Sequence, residues 1–139
     1  PRLFTLHRGD IIVFKDPADW MEGEQLPTNL MSIIDSNRYL IKRVIGLPGD
    51  IVQVKDGYTY INGELLESDI YGAEVMIEAG TASEPITLGE DEYFVLGDNR
   101  NHSLDSRDPS VGILKREDLI GRAWVRIYPF DKMGVIRHE

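Results

Sequence analysis

The sequence predicts a mostly β fold built from antiparallel sheets. Its apolar runs are short, rich in β-branched residues and bounded by turn residues, a pattern typical of strands. Two Asx-Gly pairs can supply the positive φ angles that tight hairpin turns require. The chain has 139 residues, 42% of them hydrophobic, which is enough for one core and too few for two. We therefore expect residues 1–139 to form a single domain.

Six segments are the best strand candidates, each a run of continuous or alternating apolar residues. In chain order they are Asp10–Lys15, Tyr39–Gly46, Asp50–Lys55, Tyr58–Asn62, Glu92–Gly97 and Arg122–Tyr128. Asp56-Gly57 and Asn62-Gly63 join strand-like residues, so residues 50–66 are predicted to form a small meander. Leu114–Gly121 is the one convincing helical turn, because its charges can face outward and a glycine ends it.

Two longer segments are predicted to be surface insertions. Residues 17–37 mix proline, glycine, Trp20 and several acids without a sustained period. Residues 68–88 are acidic and contain glycines and a proline. Neither segment has the pattern of a strand or a long helix, so both are expected to leave the core.

Composition excludes several classes of function. The formal net charge of −9 would repel a phosphate backbone, so we expect no nucleic-acid partner. The absence of cysteine excludes disulfides and thiolate metal sites. No window approaches the roughly 20 apolar residues that span a bilayer, and Pro1-Arg2-Leu3 does not resemble the start of a signal peptide. We expect these residues to be soluble, and the missing initial methionine suggests part of a longer protein.

No metal or cofactor is expected. Asp98, Asn99, Asp105 and Asp108 lie close together, but an EF-hand loop needs an oxygen ligand and a glycine where this chain has arginine and serine. The three histidines lack metal-ligand spacing and are expected at the surface. Gly46–Asp50 lacks the lysine and serine of a P-loop, so it is predicted to be a turn between strands.

Lys42 is the first candidate for chemistry, because it lies in an otherwise apolar strand beside Ile41 and Val44. Alternation could direct one of Lys42 and Arg43 to solvent while the stem of the other covers apolar surface. Alternatively, burial could lower the lysine pKa from about 10.4 by roughly two to three units, which would make the amine a general base. Such lysines commonly serve a serine nucleophile. The residues alone leave both interpretations open.

The polar segment Gly97–Arg107 is the second candidate. A neutral amine has to be aimed, and the Ser103 hydroxyl is a candidate for orienting Lys42. The charged residues Asp98, Arg100, Asp105 and Arg107 could form mutual ion pairs that hold an irregular loop in one shape. The alternative is a solvated polar turn after a strand.

Taken together, three segments resemble the type I signal peptidases of bacteria, membrane-bound serine proteases that remove signal peptides from exported proteins. The segments are YLIKRVIGLPGD (Tyr39–Asp50), YFVLGDNRNHSLDSR (Tyr93–Arg107) and VGILKREDLIGRAWVRIYPFDKMG (Val111–Gly134). The resemblance covers roughly Arg8 to Gly134, and it implies the family's β fold with antiparallel sheets, hairpins and one short helix. It also implies cleavage after small residues of the Ala-x-Ala type and no cofactor.

The resemblance implies a role for each matching residue. Lys42 matches the general base, and Ser103 matches the serine that orients it. Leu40 and Ile41 match the strand that pairs with the substrate backbone and helps line its small-residue pockets. The residues that match the supporting loop, with a salt bridge expected between the last two, are Asp98, Asn99, Arg100, Asp105 and Arg107.

One departure from the family pattern concerns the nucleophile. The family carries it as a serine in a Ser-Met-x-Pro-like motif before the first strand, and no such motif occurs here. We therefore expect the nucleophile and an amino-terminal membrane anchor to lie outside these residues, and this chain to be inactive alone. The complete protein is expected in the cell membrane, with its catalytic domain on the extracytoplasmic side and signal peptides of exported preproteins as partners.

Two other hypotheses remain. A self-cleaving repressor-type domain has related serine-lysine chemistry, but such domains generally lack the loop Gly97–Arg107 and the carboxy-terminal tail. A β-rich binding module would leave Lys42 at the surface and make the loop a structural turn. Burial of the lysine ammonium distinguishes these hypotheses. The oligomeric state stays open.

Overall fold

The computed structural model describes residues 5–17, 39–67, 69 and 74–127, with side chains as far as Leu119. This part of the chain contains nine strands, one α-helix, α1 (Arg116–Arg122), and two short 3-10 turns, Gly80–Ser83 and Arg100–His102. The strands are β1 (Ile11–Lys15), β2 (Tyr39–Gly46), β3 (Ile51–Lys55), β4 (Tyr58–Ile61), β5 (Glu64–Leu65), β6 (Ile86–Thr87), β7 (Glu92–Leu96), β8 (Leu114–Lys115) and β9 (Ala123–Ile127).

The strands form two antiparallel sheets. The first has the order β8-β7-β2-β1-β9, and the second has the order β5-β4-β3-β6. The prediction of a mostly β fold is confirmed, and all six predicted strands are present with ends that differ by at most one residue. The two strands that were not predicted, β6 and β8, have two residues each, and β5 is the third strand of the meander predicted over residues 50–66. The helix begins two residues later than predicted because Leu114 and Lys115 pair with β7.

β7 separates the two halves of the core. Tyr93 and Val95 belong to one apolar cluster, whereas Phe94 and Leu96 belong to the other. Successive side chains of a strand point to opposite faces, so a strand buried on both sides is apolar throughout. The first cluster is completed by residues of β1, β2, β8 and α1, and the second by residues of β2, β3 and β4 together with the segment that follows them.

Glycines set the geometry at the predicted turns. Asp56 and Gly57 have φ values of 55° and 87°, and Asn62 and Gly63 have values of 54° and 86°. Two successive residues with positive φ are the signature of a type I′ hairpin turn, so the predicted meander β3-β4-β5 is confirmed. The predicted turn between β2 and β3 is also present, with Gly49 at a φ of 87°.

The structure describes the two predicted insertions to different extents. Residues 18–37 of the first lie outside the described residues. The described part of the second, residues 69 and 74–88, is mostly exposed but inserts Met76, Ala82 and Leu88 into the second apolar cluster. Residues 74–83, which we call the strap, then run alongside the loop 97–108 that follows β7.

Candidate active site

Lys42 is placed by the alternation of β2. Residues Leu40 and Val44, two positions before and after it, both pack in the first apolar cluster, so Lys42 shares their face of the strand. Its side chain is partly buried there. Arg43 lies on the opposite face and is only 8% exposed. Neither side chain therefore extends freely into solvent. The interpretation based on strand alternation had placed one of the two there.

Ser103 meets Lys42 at the end of this face. The amine Nζ donates a hydrogen bond of 2.9 Å to Ser103 Oγ, and Ser103 Oγ in turn donates one of 2.9 Å to Asp105 Oδ2. The hydroxyl proton is thus directed to the carboxylate, which leaves an oxygen lone pair for the amine. The two residues are 61 positions apart in the sequence and are brought together by the pairing of β2 with β7.

Burial lowers the pKa of the Lys42 ammonium below its ordinary value of 10.5. Desolvation is the largest cause, since it disfavours the charged form. Asp105 and Asp98 oppose it by favouring the ammonium, and Arg107 acts in the same direction as burial. An amine with a lowered pKa and a fixed hydrogen-bond partner can accept a proton from a group brought to its open side.

The loop after β7 holds its shape through buried ion pairs. Arg107 contacts both carboxylate oxygens of Asp105 at 2.9 Å, and these two side chains are 8% and 1% exposed. The Arg107 guanidinium also donates to the carbonyl of Arg100 at 2.6 Å. One strong pair inside the loop therefore fixes both Asp105, the acceptor for Ser103, and the backbone at Arg100.

The other two loop charges have partners outside the loop. Asp98 accepts two hydrogen bonds from Arg43, at 3.0 and 2.7 Å. Arg100 donates two bonds of 2.7 Å to Asp69. The expectation of mutual pairing among the four charges thus holds for Asp105 and Arg107 alone, because Asp98 faces β2 and Arg100 faces the end of the second sheet.

Asn99 makes a backbone contribution. Its carbonyl accepts a hydrogen bond of 3.0 Å from the His102 amide, which closes the 3-10 turn Arg100–His102. Its own residue surface is exposed. Asn99 therefore shapes the loop without contacting Lys42 or Ser103 through any contact that the structure describes.

Leu40 and Ile41 lie at an edge of the first sheet. β1 pairs with β2 from Tyr39 to Arg43, whereas β7 pairs with β2 only from Arg43 onward. The Val44 amide donates to the Asp10 carbonyl on the β1 side of β2. Successive residues of an antiparallel strand direct their amide and carbonyl groups to alternate sides, so those of Ile41 point to the opposite side of β2. Among the described residues no strand pairs with Ile41 at that edge, and its side chain is 63% exposed.

Sequence reasoning missed three residues of this site. Gly97 lies so close to the pair that a Cβ there would overlap Ser103 Oγ and lie 3.2 Å from Lys42 Nζ. Arg43 anchors Asp98, and its position directly after Lys42 was the available signal. Asp69 anchors Arg100 across 31 residues, and no local pattern indicated that contact.

The described residues contain neither a cluster of metal ligands nor a helix that could span a membrane. No group of three or more potential metal ligands occurs between Thr5 and Ile127 in the described ranges. His7 and His102 are exposed, and His138 lies outside those ranges. No helix within the part of the chain that the structure covers is long and apolar enough to cross a bilayer.

The fold and site define the class of protein. A crystal structure of a signal peptidase I from Enterococcus faecalis has the same fold, with a TM-score of 0.58 and 29% sequence identity over 87% of this chain and 96% of that one. The family model described as signal peptidase, peptidase S26, matches residues 2–128. The chain therefore belongs to the signal peptidase family, peptidase S26.

Curated relatives agree with this assignment. The chain is 38% identical over 138 residues to a probable signal peptidase I-2 of Synechocystis sp., and 41% identical over 127 residues to a signal peptidase I of Leptolyngbya laminosa. These matches cover 99% and 91% of this chain but 56% and 55% of the relatives. The chain thus spans little more than half the length of these two proteins.

Proposed function

We propose that the complete protein is a serine endopeptidase that removes signal peptides from exported proteins after small residues, with Lys42 as its general base. The observation that carries this proposal is the contact between a partly buried lysine of lowered pKa and a serine hydroxyl, Nζ to Oγ 2.9 Å. Membership of the signal peptidase family supports proteolysis over a binding module.

In this mechanism the unprotonated Lys42 takes the proton of a serine hydroxyl as that oxygen attacks the peptide carbonyl. The proton then passes from the ammonium to the leaving amine, so the lysine acts first as base and then as acid. Ser103 orients the amine, and Asp105 orients Ser103 by accepting its proton in a hydrogen bond. In this proposal the nucleophile is a serine outside the three segments that carry the resemblance.

Substrate pairs with the open edge of β2 in this proposal. The backbone of Ile41 offers one amide and one carbonyl there, which is the arrangement that adds an extended peptide to a sheet. Alternate side chains of the peptide then face Lys42, where a small residue fits. Leu40 lies on the same face as Lys42 and contributes apolar surface beside it.

The cellular setting follows from the same proposal. The enzyme is anchored in the cell membrane through an amino-terminal segment and acts on the extracytoplasmic side, where signal peptides of exported preproteins emerge. Asp98, Asn99, Arg100, Asp105 and Arg107 serve as the supporting loop.

Replacing Lys42 tests the proposal. In the complete protein, we expect Lys42→Met to lower cleavage of an Ala-x-Ala peptide by roughly 10²- to 10⁴-fold, the usual contribution of general-base catalysis. The measurement is kcat/KM from a fluorogenic peptide assay. Lys55→Met is the matched control, since Lys55 is exposed at the end of β3 and lies over the Tyr60 ring at 4.9 Å. Full activity in Lys42→Met would exclude the general-base role.

A further inference from the structure

Asp69 connects the second sheet to the loop that carries Ser103. Its carboxylate accepts two hydrogen bonds of 2.7 Å from Arg100 and one of 3.1 Å from the Thr59 hydroxyl on β4. The side chains of Asp69 and Arg100 are 6% and 2% exposed. A buried, bidentate arginine-carboxylate pair has a fixed geometry, so it transmits the position of β4 to Arg100.

Arg100 connects Asp69 to the Lys42–Ser103 pair through the Gly97 backbone. Its Nε donates to the carbonyl of Gly97 at 2.7 Å. The Gly97 amide donates at 3.0 Å to Asp105 Oδ2, the same oxygen that accepts the Ser103 hydroxyl. A displacement of the Gly97 backbone would therefore change both the acceptor of Ser103 and the space that the pair occupies.

Hydrogen bonds help to hold the loop against the strap. A cleft of about 430 Å³ lies between them, lined by residues of the strap and by Asn101, Ser103 and Asp105. Across this cleft the strap contacts the loop through hydrogen bonds, for example from the Thr81 amide to the Arg107 carbonyl at 2.9 Å and from Arg107 to the Glu78 carbonyl at 3.1 Å. Polar contacts thus contribute to the alignment of the loop on this side, together with the close approach of Gly80 to the Arg107 backbone.

We propose that Asp69 is a positioning residue for the Lys42–Ser103 pair, acting through Arg100 and the Gly97 backbone. The proposal rests on the function proposed above, and it gives the segment 68–88 a role in that site. Without the Asp69 charge, the Arg100 guanidinium is left buried without its counter-ion, which is strongly unfavourable. Arg100 then moves toward water and draws Gly97 with it, and Lys42 loses its fixed partner and gains solvent.

The test measures Lys42 directly. The five lysines of the chain are labelled with ¹³C and ¹⁵N, the Lys42 signal is assigned with Lys42→Arg, and its titration is followed by NMR. We expect Asp69→Asn to move the Lys42 pKa upward, because the amine becomes more hydrated. Asp98, Asp105 and Arg107, the charged groups that act on Lys42, are all retained in this variant.

A matched control separates positioning from stability. Asp50→Asn removes a carboxylate that pairs with Arg8 at 2.8 Å and that makes no bond to the loop in the described structure. We expect this variant to lose stability while its Lys42 pKa stays unchanged. Thr59→Val, which keeps the Asp69–Arg100 pair but removes the hydroxyl, should shift the pKa in the same direction by a smaller amount. If Asp69→Asn does not fold, Thr59→Val decides.

An activity measurement on the complete protein distinguishes the two proposals. We expect Asp69→Asn to lower kcat about tenfold with little change in KM, because the general base is misplaced while the substrate edge on β2 is intact. A Lys42 pKa that does not move in folded Asp69→Asn overturns the positioning role. If the unsubstituted protein cleaves no Ala-x-Ala peptide, the proposed function is wrong. A Lys42 pKa that still shifts in Asp69→Asn would then support the coupling between Asp69 and Lys42 by itself.

Discussion

At the scale of single residues, Lys42 is held between opposing influences. Burial disfavours its charge, two carboxylates favour it, and a serine hydroxyl accepts from its amine. Replacing a buried charged group by an apolar side chain of similar volume is often neutral or stabilising. The proposed general-base role would account for a lysine at this position, whereas a contribution to stability would not.

This balance predicts how stability depends on pH. The folded pKa of Lys42 is lowered from 10.5, so between the two values the unfolded chain binds more protons than the folded one. The contribution of Lys42 to the free energy of unfolding then rises with pH across that window. In Lys42→Met this contribution is absent, so the advantage of the variant over the unsubstituted chain should be largest below the lowered pKa and should vanish above 10.5.

Urea denaturation at a series of pH values measures this difference. Lys55→Met again serves as the control, because an exposed lysine has little to lose on substitution. A difference between Lys42→Met and the unsubstituted chain that stays constant with pH would show that the lysine titrates alike in the folded and unfolded states.

The sequence predicted part of this site. Ser103, Asp105 and Arg107 lie within five positions, so their mutual contacts follow from local spacing. The partners of Asp98 and Arg100 could not be predicted, because they are 55 and 31 residues away and depend on how the sheets are placed. The roles assigned to the individual residues stay predictions until the kinetic measurements are made.

At the scale of elements, β7 does the most to join the two halves of the core. Four of its five residues, Tyr93–Leu96, are buried and alternate between the two apolar clusters. The β-branched and aromatic runs were sufficient to predict the longer strands, because burial on one or both faces requires that pattern. The two-residue strands β6 and β8 were missed because so short a segment has no period to detect.

Phe94 should be the most sensitive position of β7. It is completely buried, and its Cβ lies next to the space that Gly46 leaves open, where a methyl group would be 2.9 Å away. We expect Phe94→Ala to destabilise the fold by about 3–5 kcal/mol, the usual range for removing a buried aromatic ring. Thermal or urea unfolding checks this value. Ile77→Ala, at a side chain that is 79% exposed, should change stability by no more than about 0.5 kcal/mol.

At the scale of the whole molecule, charge is unevenly balanced. The chain carries 24 acidic and 15 basic residues, and several of the basic ones are committed to buried or partly buried pairs. The remaining acidic surface repels itself, which opposes the compact state. Composition predicted this acidic excess directly, although only the structure shows which basic side chains form ion pairs.

Salt should therefore stabilise the domain at neutral pH. Raising sodium chloride from low concentration to 1 M shortens the screening length to about 3 Å, which weakens repulsion at the surface more than attraction in buried pairs. We expect the urea midpoint to rise with salt at pH 7 and to rise less near pH 5, close to the sequence pI of about 4.8. A midpoint that falls with salt at pH 7 would show that exposed ion pairs outweigh the repulsion.

The order of strands in the first sheet also bears on how the molecule folds. The meander β3-β4-β5 pairs neighbours along the chain, whereas β1 pairs with β9, almost at the other end of the described residues. Local pairings close small loops and form quickly, while distant pairings carry a larger entropic cost and form slowly. Contact order thus favours early formation of the second sheet, with Asp69 at its end. The first sheet would then form against a second sheet that is already folded. The contact between Lys42 and Ser103 would form at that later stage.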